Sequence, residues 1–253
     1  RDANGCEVTI DPELDVYILT ALVDYTPVTC FGETDGTISI TNPDGGSGSY
    51  NYSVDGGTNW QVSGTFSNLA PGSFNVQIQD ASQPSCIVVL NDNVVIDEPA
   101  VLNADLDFTD ITCFGGSDGT ITVSNPTGGF GTYEVSIDGV NWYEVTAAIP
   151  YTFNNLTPFS YTVQIRDELY ITCIQSLPVL TLGEPDVLSA VVNPVDVTCN
   201  GFDDGTITIT GAAGGSGNYE YSIDGGVTWQ AGKTFENLEP GTKIRKTQKL
   251  STK

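Results

Sequence analysis

Histidine and methionine are both absent from these 253 residues, and lysine plus arginine number only 8 against 32 acids. Without histidine there is no Ser-His or Cys-His pair to activate a nucleophile, and a zinc site would lack its usual nitrogen ligand. No run of 18 apolar residues occurs, so no helix is expected to span a membrane. Five of the eight bases, Lys243, Arg245, Lys246, Lys249 and Lys253, fall in the last eleven positions; the body before them carries three bases and 32 acids, a formal −29. Such a body repels phosphate backbones and anionic lipid, which argues against nucleic acid partners and direct membrane insertion and makes cations its natural small partners. Lys233 is the only lysine ahead of the tail, so Lys-Asn isopeptide links are not expected either.

What is present is repetition. VTCFGETDGTISI at Val28–Ile40 returns as ITCFGGSDGTITV at Ile111–Val123 and as VTCNGFDDGTITI at Val197–Ile209. The first cysteines of these stretches are 83 and then 86 residues apart, so each copy is a small domain and not a solenoid coil. A unit of this size buries only about 60–65% of its unfolded surface, and covalent constraints are expected to help hold it. Acidic proline junctions at Asp11–Glu13, Asp97–Pro99 and Glu184–Pro185 mark the boundaries, since proline breaks a strand ladder. The divisions are then 1–13 as the end of a preceding copy, 14–98 and 99–184 as two full copies, and 185–242 as an incomplete third. Residues 243–253 resemble nothing in the repeat and read as foreign or misassigned, with a native basic tail as the alternative. Arg1 begins inside a motif, so a piece of a longer protein is expected.

Each copy alternates in the manner of strands. T-I-S-I and T-I-T-V place one residue in two on a buried face, and Tyr50/Tyr52/Val54, Tyr133/Val135/Ile137 and Tyr219/Tyr221/Ile223 share another. Asp-Gly steps at Asp55-Gly56, Asp138-Gly139 and Asp224-Gly225 supply the positive φ of tight hairpins, each followed by Trp60, Trp142 or Trp229. About seven strands per copy predict an all-β chain of tandem immunoglobulin-like antiparallel β-sandwiches. With strands along the axis, each copy would span roughly 35–40 Å of an elongated rod.

Two cysteines per copy without histidine predict disulfides and an oxidising, extracellular setting. Two schemes fit. Pairing across junctions gives Cys6–Cys30, Cys86–Cys113 and Cys173–Cys199, using all six; pairing within copies gives Cys30–Cys86 and Cys113–Cys173. The first is preferred, because a sandwich puts the end of its first strand and the start of its last at opposite poles. It requires each first strand to fold back onto the preceding sandwich.

Ser222 to Trp229 has the spacing of the Asp-box of sialidase propellers, but propeller blades recur at about 40–50 residues, so a hairpin clasp with the aspartate on turn N–H groups is expected instead. Junction carboxylates Asp97, Glu98, Glu184 and Asp186 are weak calcium candidates, as hard oxygen donors without a full D-x-D-x-D-G loop. No other cofactor is expected. Acids are numerous enough to pair by chance, but no cleft signals glycoside cleavage, and no enzyme activity is expected.

The TC-x-G-x-x-DGTI segments, with the following GG-S-G-x-Y-x-Y-S-x-D-G-G hairpin and F-x-N-L-x-P-G turn, resemble the SprB repeat family of very large Bacteroidetes surface proteins. The resemblance covers residues 1–242 and implies a repetitive, type IX-secreted cell-surface filament that adheres to a substratum and serves gliding motility. Its partners would be neighbouring repeats of the same polypeptide, with surface polysaccharide or other cell-surface proteins as further candidates. The alternative is a carbohydrate-binding or accessory module of a secreted polysaccharide-degrading enzyme. That role predicts exposed tryptophan and tyrosine platforms, where a filament predicts buried ones.

Overall fold

The computed structural model describes residues 3–4 and 18–241, and among these it is all-β, without a helix. Copy one runs β1 (Thr20–Thr26), β2 (Gly36–Asp44), β3 (Tyr50–Ser53), β4 (Thr65–Leu69), β5 (Gly72–Asp80) and β6 (Gln83–Ile96). Two antiparallel three-stranded sheets result, β1-β2-β4 and β3-β5-β6. Between them lie Leu19, Val28, Ile38, Ile40, Tyr52, Val76, Ile78, Val94 and Ile96. The alternation in the sequence therefore becomes the two inner faces of a sandwich, six-stranded where about seven strands were expected.

Copy two follows with β7 (Asn103–Thr109), β8 (Gly119–Thr127), β9 (Tyr133–Ser136), β10 (Tyr143–Val145), β11 (Tyr151–Leu156), β12 (Phe159–Tyr161), β13 (Gln164–Asp167), β14 (Ile174–Ser176) and β15 (Leu180–Leu182). Its sheets are β7-β8-β11 and β10-β9-β13-β14, with β12 paired to β15. The long last strand of copy one is here split into β14 and β15. Pro178 stands in the gap and has no N–H to give the ladder. Copy three contributes β16 (Ser189–Val195), β17 (Gly205–Ala213) and β18 (Thr234–Leu238) as one sheet over Ile207, Ile209 and Tyr221. The basic tail 243–253 and the 1–13 segment, Asn4 and Ala3 apart, lie outside the described residues.

The contacts resolve two compact units. The first holds the chain up to Leu102 together with Thr127–Gly131 and Arg166–Ile174; the second holds Asn103–Pro126, Thr132–Ile165 and the chain from Gln175.

The invariant-looking glycine of the D-G-T-I stretches has a packing reason. A Cβ on Gly36 would lie 2.7 Å from Ile96 Cγ2 and 2.9 Å from the Leu69 carbonyl; on Gly119 it would lie 2.7 Å from Leu182 Cδ2 and 3.1 Å from the Leu156 carbonyl. Beside each glycine the F-x-N-L strand bulges around Asn68, Asn155 or Asn237, held at φ 59°, 59° and 56°. Gly36→Ala is therefore expected to destabilise copy one by about 1–3 kcal/mol through overpacking. Chemical denaturation of the variant checks it, and an unchanged midpoint would show that the bulge simply moves aside.

Candidate functional site

The recurring stretch is a closed turn built the same way three times. After β1, β7 or β16 the chain makes a turn closed by Glu33 N–H to Cys30 O (3.2 Å), Gly116 N–H to Cys113 O (2.8 Å) or Phe202 N–H to Cys199 O (3.1 Å). Its third residue is Gly32, Gly115 or Gly201, with φ of 80°, 72° and 91°, a left-handed conformation that glycine adopts without a steric penalty. The threonine before the cysteine then clasps the aspartate at the far side. Thr29 donates its N–H to Asp35 Oδ1 (2.9 Å) and its hydroxyl to Asp35 Oδ2 (2.5 Å); Thr112 holds Asp118, and Thr198 holds Asp204, with the same two bonds. The hydroxyl bond is the larger cause, and the amide the second, of carboxyl pKa values below the ordinary range at all three aspartates. The threonine, cysteine, first glycine and aspartate of T-C-x-G-x-x-D-G thus each have a place in the turn.

Two junction acids serve this turn through their side chains. Glu98 accepts the Gly32 N–H (3.1 Å), and Glu184 accepts that of Gly115 (2.5 Å). The Asp97 backbone carbonyl accepts from Val28, just ahead of this turn, whereas the Asp186 carbonyl accepts from Gly215 in the Gly-rich loop after β17 and does not serve the turn. The calcium candidates Asp97, Glu98, Glu184 and Asp186 are therefore not gathered into one ligand set: the first two belong to the first unit and the last two to the second. Among the described residues no group of three or more His, Cys, Asp or Glu is placed to hold a metal ion.

The Asp-box-like hairpin is a clasp. Asp55 accepts from the N–H groups of Thr58 (3.0 Å) and Asn59 (2.9 Å), the Asn59 amide (2.6 Å) and the Ser53 hydroxyl (2.7 Å). Ser53 Oγ in turn accepts the Gly57 N–H, and the Trp60 indole donates to the Gly57 carbonyl at 2.9 Å, folding its ring over the turn. Asp224 and Trp229 repeat this, and Asp138 repeats the carboxylate part. These bonds, led by the Asn59 N–H, lower the Asp55 pKa to about 2; those on Asp138, led by the Asn141 side chain, and on Asp224, led by the Thr228 hydroxyl, push lower still.

A depressed folded-state pKa gives stability that is present above the unfolded value and lost as pH falls through the folded one. The melting temperature of the parent chain should therefore exceed that of Asp55→Asn by a constant margin above about pH 5, a margin that closes as pH approaches about 2. Comparing the two variants cancels the separate relief of charge repulsion in acid. A margin unaffected by pH would mean that the clasp acts by shape alone.

A third clasp was not singled out from the sequence. Asp80, at the end of β5, is buried and accepts from Ser47 N–H and Oγ and from the N–H groups of Ser82 and Gln83. Asp167, at the end of β13 and 0% exposed, accepts from Phe130 (2.6 Å), Leu169 (2.8 Å) and Tyr170 (3.3 Å). Each ties a Gly-rich loop to the turn before the second cysteine. The signal was the aspartate in QDASQPSC and RDELYITC, six residues ahead of Cys86 and of Cys173.

The cysteines depart from both expected schemes. Cys30 is bridged to Cys173, with Cα atoms 5.4 Å apart at a sequence separation of 143, while Cys86, Cys113 and Cys199 are free. Both bridged residues belong to the first unit. A cysteine forms one bridge, so Cys6–Cys30, Cys30–Cys86, Cys113–Cys173 and Cys173–Cys199 are each displaced, and Cys86–Cys113 is not formed; Cys6 itself lies outside the described residues. Two physical reasons are visible. Val28 donates to the Asp97 carbonyl, so the Thr-Cys turn sits at the end of β6, whereas Cys86 is near its start, roughly 30 Å away along the strand. Junction pairing, for its part, needed each first strand to fold back onto the preceding sandwich. β7 pairs with β8 and β16 with β17, each inside its own copy.

The SprB repeat family matches at residues 22–59, 106–141 and 191–228, each segment carrying one Thr-Cys turn and its Asp clasp hairpin. No curated protein matches the chain. Among solved structures, the three N-terminal domains of the highly immunogenic outer capsid protein (Hoc) of bacteriophage RB49 align over 81% of this chain and 73% of that one. Identity is 14% and the TM-score 0.38, a level from which nothing about fold or function follows.

Proposed function

Three segments of this chain are SprB repeats, and from that premise we propose that it is a stalk segment of a large, type IX-secreted cell-surface adhesin filament that serves attachment to a substratum and gliding motility. The observation that carries this reading is that the polar side chains of the turn and hairpin clasps, which recur in all three copies, are spent on bonds within the fold. The threonine and aspartate of the turn hold each other, and the serine and aspartate of the hairpin hold backbone N–H groups. Tyr52, Tyr133 and Tyr221 are buried, and the three tryptophans are half-buried. Repetition of this kind maintains a shape, which suits reach and mechanical persistence. The acidic surface keeps neighbouring filaments apart.

Latex beads carrying antibody to this chain test the reading on living cells that produce it. Beads that bind and travel along the cell support a moving surface filament; beads that never bind, with the chain found only in the medium, would refute it.

A second reading, as a carbohydrate-binding module, draws on one observation: Phe31, Phe114 and Phe202, one on each Thr-Cys turn, are each 57% exposed. An exposed ring can stack on a sugar face, and calcium at the junction acids could support such a site. Binding to a polysaccharide panel, with and without calcium, should then fall on Phe31→Ala. No binding by the parent chain leaves the stalk role.

A further inference from the structure

We propose that the Cys30–Cys173 bridge is one step of a staggered series, in which the turn cysteine of each copy is joined to the second cysteine of the copy that follows. Cys30 is the turn cysteine of copy one, and Cys173 is the second cysteine of copy two. Both halves of this joint are built again elsewhere in the chain. Cys113 and Cys199 sit in turns closed by the same Thr-Asp clasp and the same backbone bond as the turn of Cys30. On the other side, Asp80 gathers the loop and turn ahead of Cys86 as Asp167 does ahead of Cys173.

Cys86, Cys113 and Cys199 are nevertheless free, and a step of one copy accounts for each. Cys113 requires the second cysteine of copy three, where residues 242–253 supply none. Cys199 requires that of a fourth copy, and Cys86 requires the turn of a copy ahead of copy one. Pairing within copies would instead have joined Cys30 to Cys86, and pairing across junctions would have joined Cys86 to Cys113. In a longer array the staggered rule uses every cysteine once and links each pair of consecutive copies covalently. Each bridge forms as two thiols give up two protons and two electrons to a disulfide oxidant, such as oxidised glutathione, which leaves as two thiols.

The rule rests on the repeat reading but not on adhesion, and a mapping experiment separates the two. The chain is folded with oxidised glutathione, the monomer alkylated, and its peptides mapped without reduction. A Cys30–Cys173 peptide with Cys86, Cys113 and Cys199 alkylated is expected; a Cys6–Cys30, Cys86–Cys113 or Cys113–Cys173 peptide would overturn the rule. In a second chain, residues 161–184 replace 243–253, completing copy three and adding the cysteine equivalent to Cys173. That cysteine should link to Cys113, which loses its alkylation. A link to Cys199, or none while Cys30–Cys173 forms, sinks the proposal. Should the extended chain not fold, Cys30→Ser in the original decides: Cys173 must become alkylated, and its transfer to Cys113 in full yield would contradict the rule. A positive map with immobile beads would leave the joint intact and remove only the gliding role.

Discussion

Cys30→Ser is expected to lower the denaturant midpoint of the first compact unit by the largest margin of any single change outside the core. The bridge joins residues 143 apart, and the chain-entropy account assigns a closed loop of that size about 5 kcal/mol. That full value applies only when the whole intervening chain unfolds. If copy two stays folded while copy one melts, the effective loop is shorter and the gain smaller. Two variants should therefore be read together, Cys30→Ser and Cys173→Ser, each with Trp142 and Trp229 replaced by phenylalanine so that Trp60 alone reports on copy one. Both should match the dithiothreitol-treated parent and fall below the oxidised parent, with a steeper denaturant dependence because the unlinked unfolded chain is more open. Equal midpoints for all four samples would mean that the bridge contributes nothing to folding.

The second large effect is expected at Asp167. Its carboxylate, fully buried, is the acceptor for three backbone N–H groups, those of Phe130, Leu169 and Tyr170. Alanine would remove the shared acceptor of three backbone donors, at a cost of about 1–3 kcal/mol, since water can reach part of this loop through the exposed Phe130 and Leu169. Asparagine keeps the shape but turns one acceptor oxygen into a donor that faces N–H groups, so it should recover only part of the loss. The consequence reaches the bridge. Asp167 N–H donates to the Cys173 carbonyl and Cys173 N–H to the Tyr170 carbonyl, while the Phe130 and Tyr170 rings pack at 4.8 Å beside them. Asp167→Ala should therefore also speed reduction of Cys30–Cys173 at a fixed dithiothreitol concentration, followed by alkylation of the released thiols. Loss of stability without faster reduction would confine Asp167 to the loop and separate it from the joint.

Much of the candidate site was legible because it is local. Thr29 and Asp35 are six residues apart, Ser53 and Asp55 two, and Asp55 and Asn59 four, so their bonds follow from turn chemistry within a short window. The core faces were legible for the same reason: Tyr52, Val135 and Ile209 lie where strict alternation places them. The backbone partners of Glu98 and Glu184 were not legible. As isolated acids at a proline junction they suggested a cation, but Gly32 and Gly115, which they serve, stand 66 and 69 residues earlier. Asp80 and Asp167 recur six residues ahead of a cysteine, but that spacing does not record that the carboxylate will be buried. The break of the last strand at Pro178 could have been foreseen; its pairing of β12 with β15 could not.

By itself the sequence determined the period, the all-β class and the hairpins with their clasps, since each depends on residues close enough to set their own backbone geometry. Tertiary structure alone decided which cysteine meets which. That choice depends on where strands end in space: β6 carries Cys86 away from the turn at Asp97, β7 stays with its own sheet, and Arg166–Ile174 of copy two belongs to the first unit together with Cys30. A distance of 5.4 Å between Cα atoms at a sequence separation of 143 is a property of packing, and no local pattern records it.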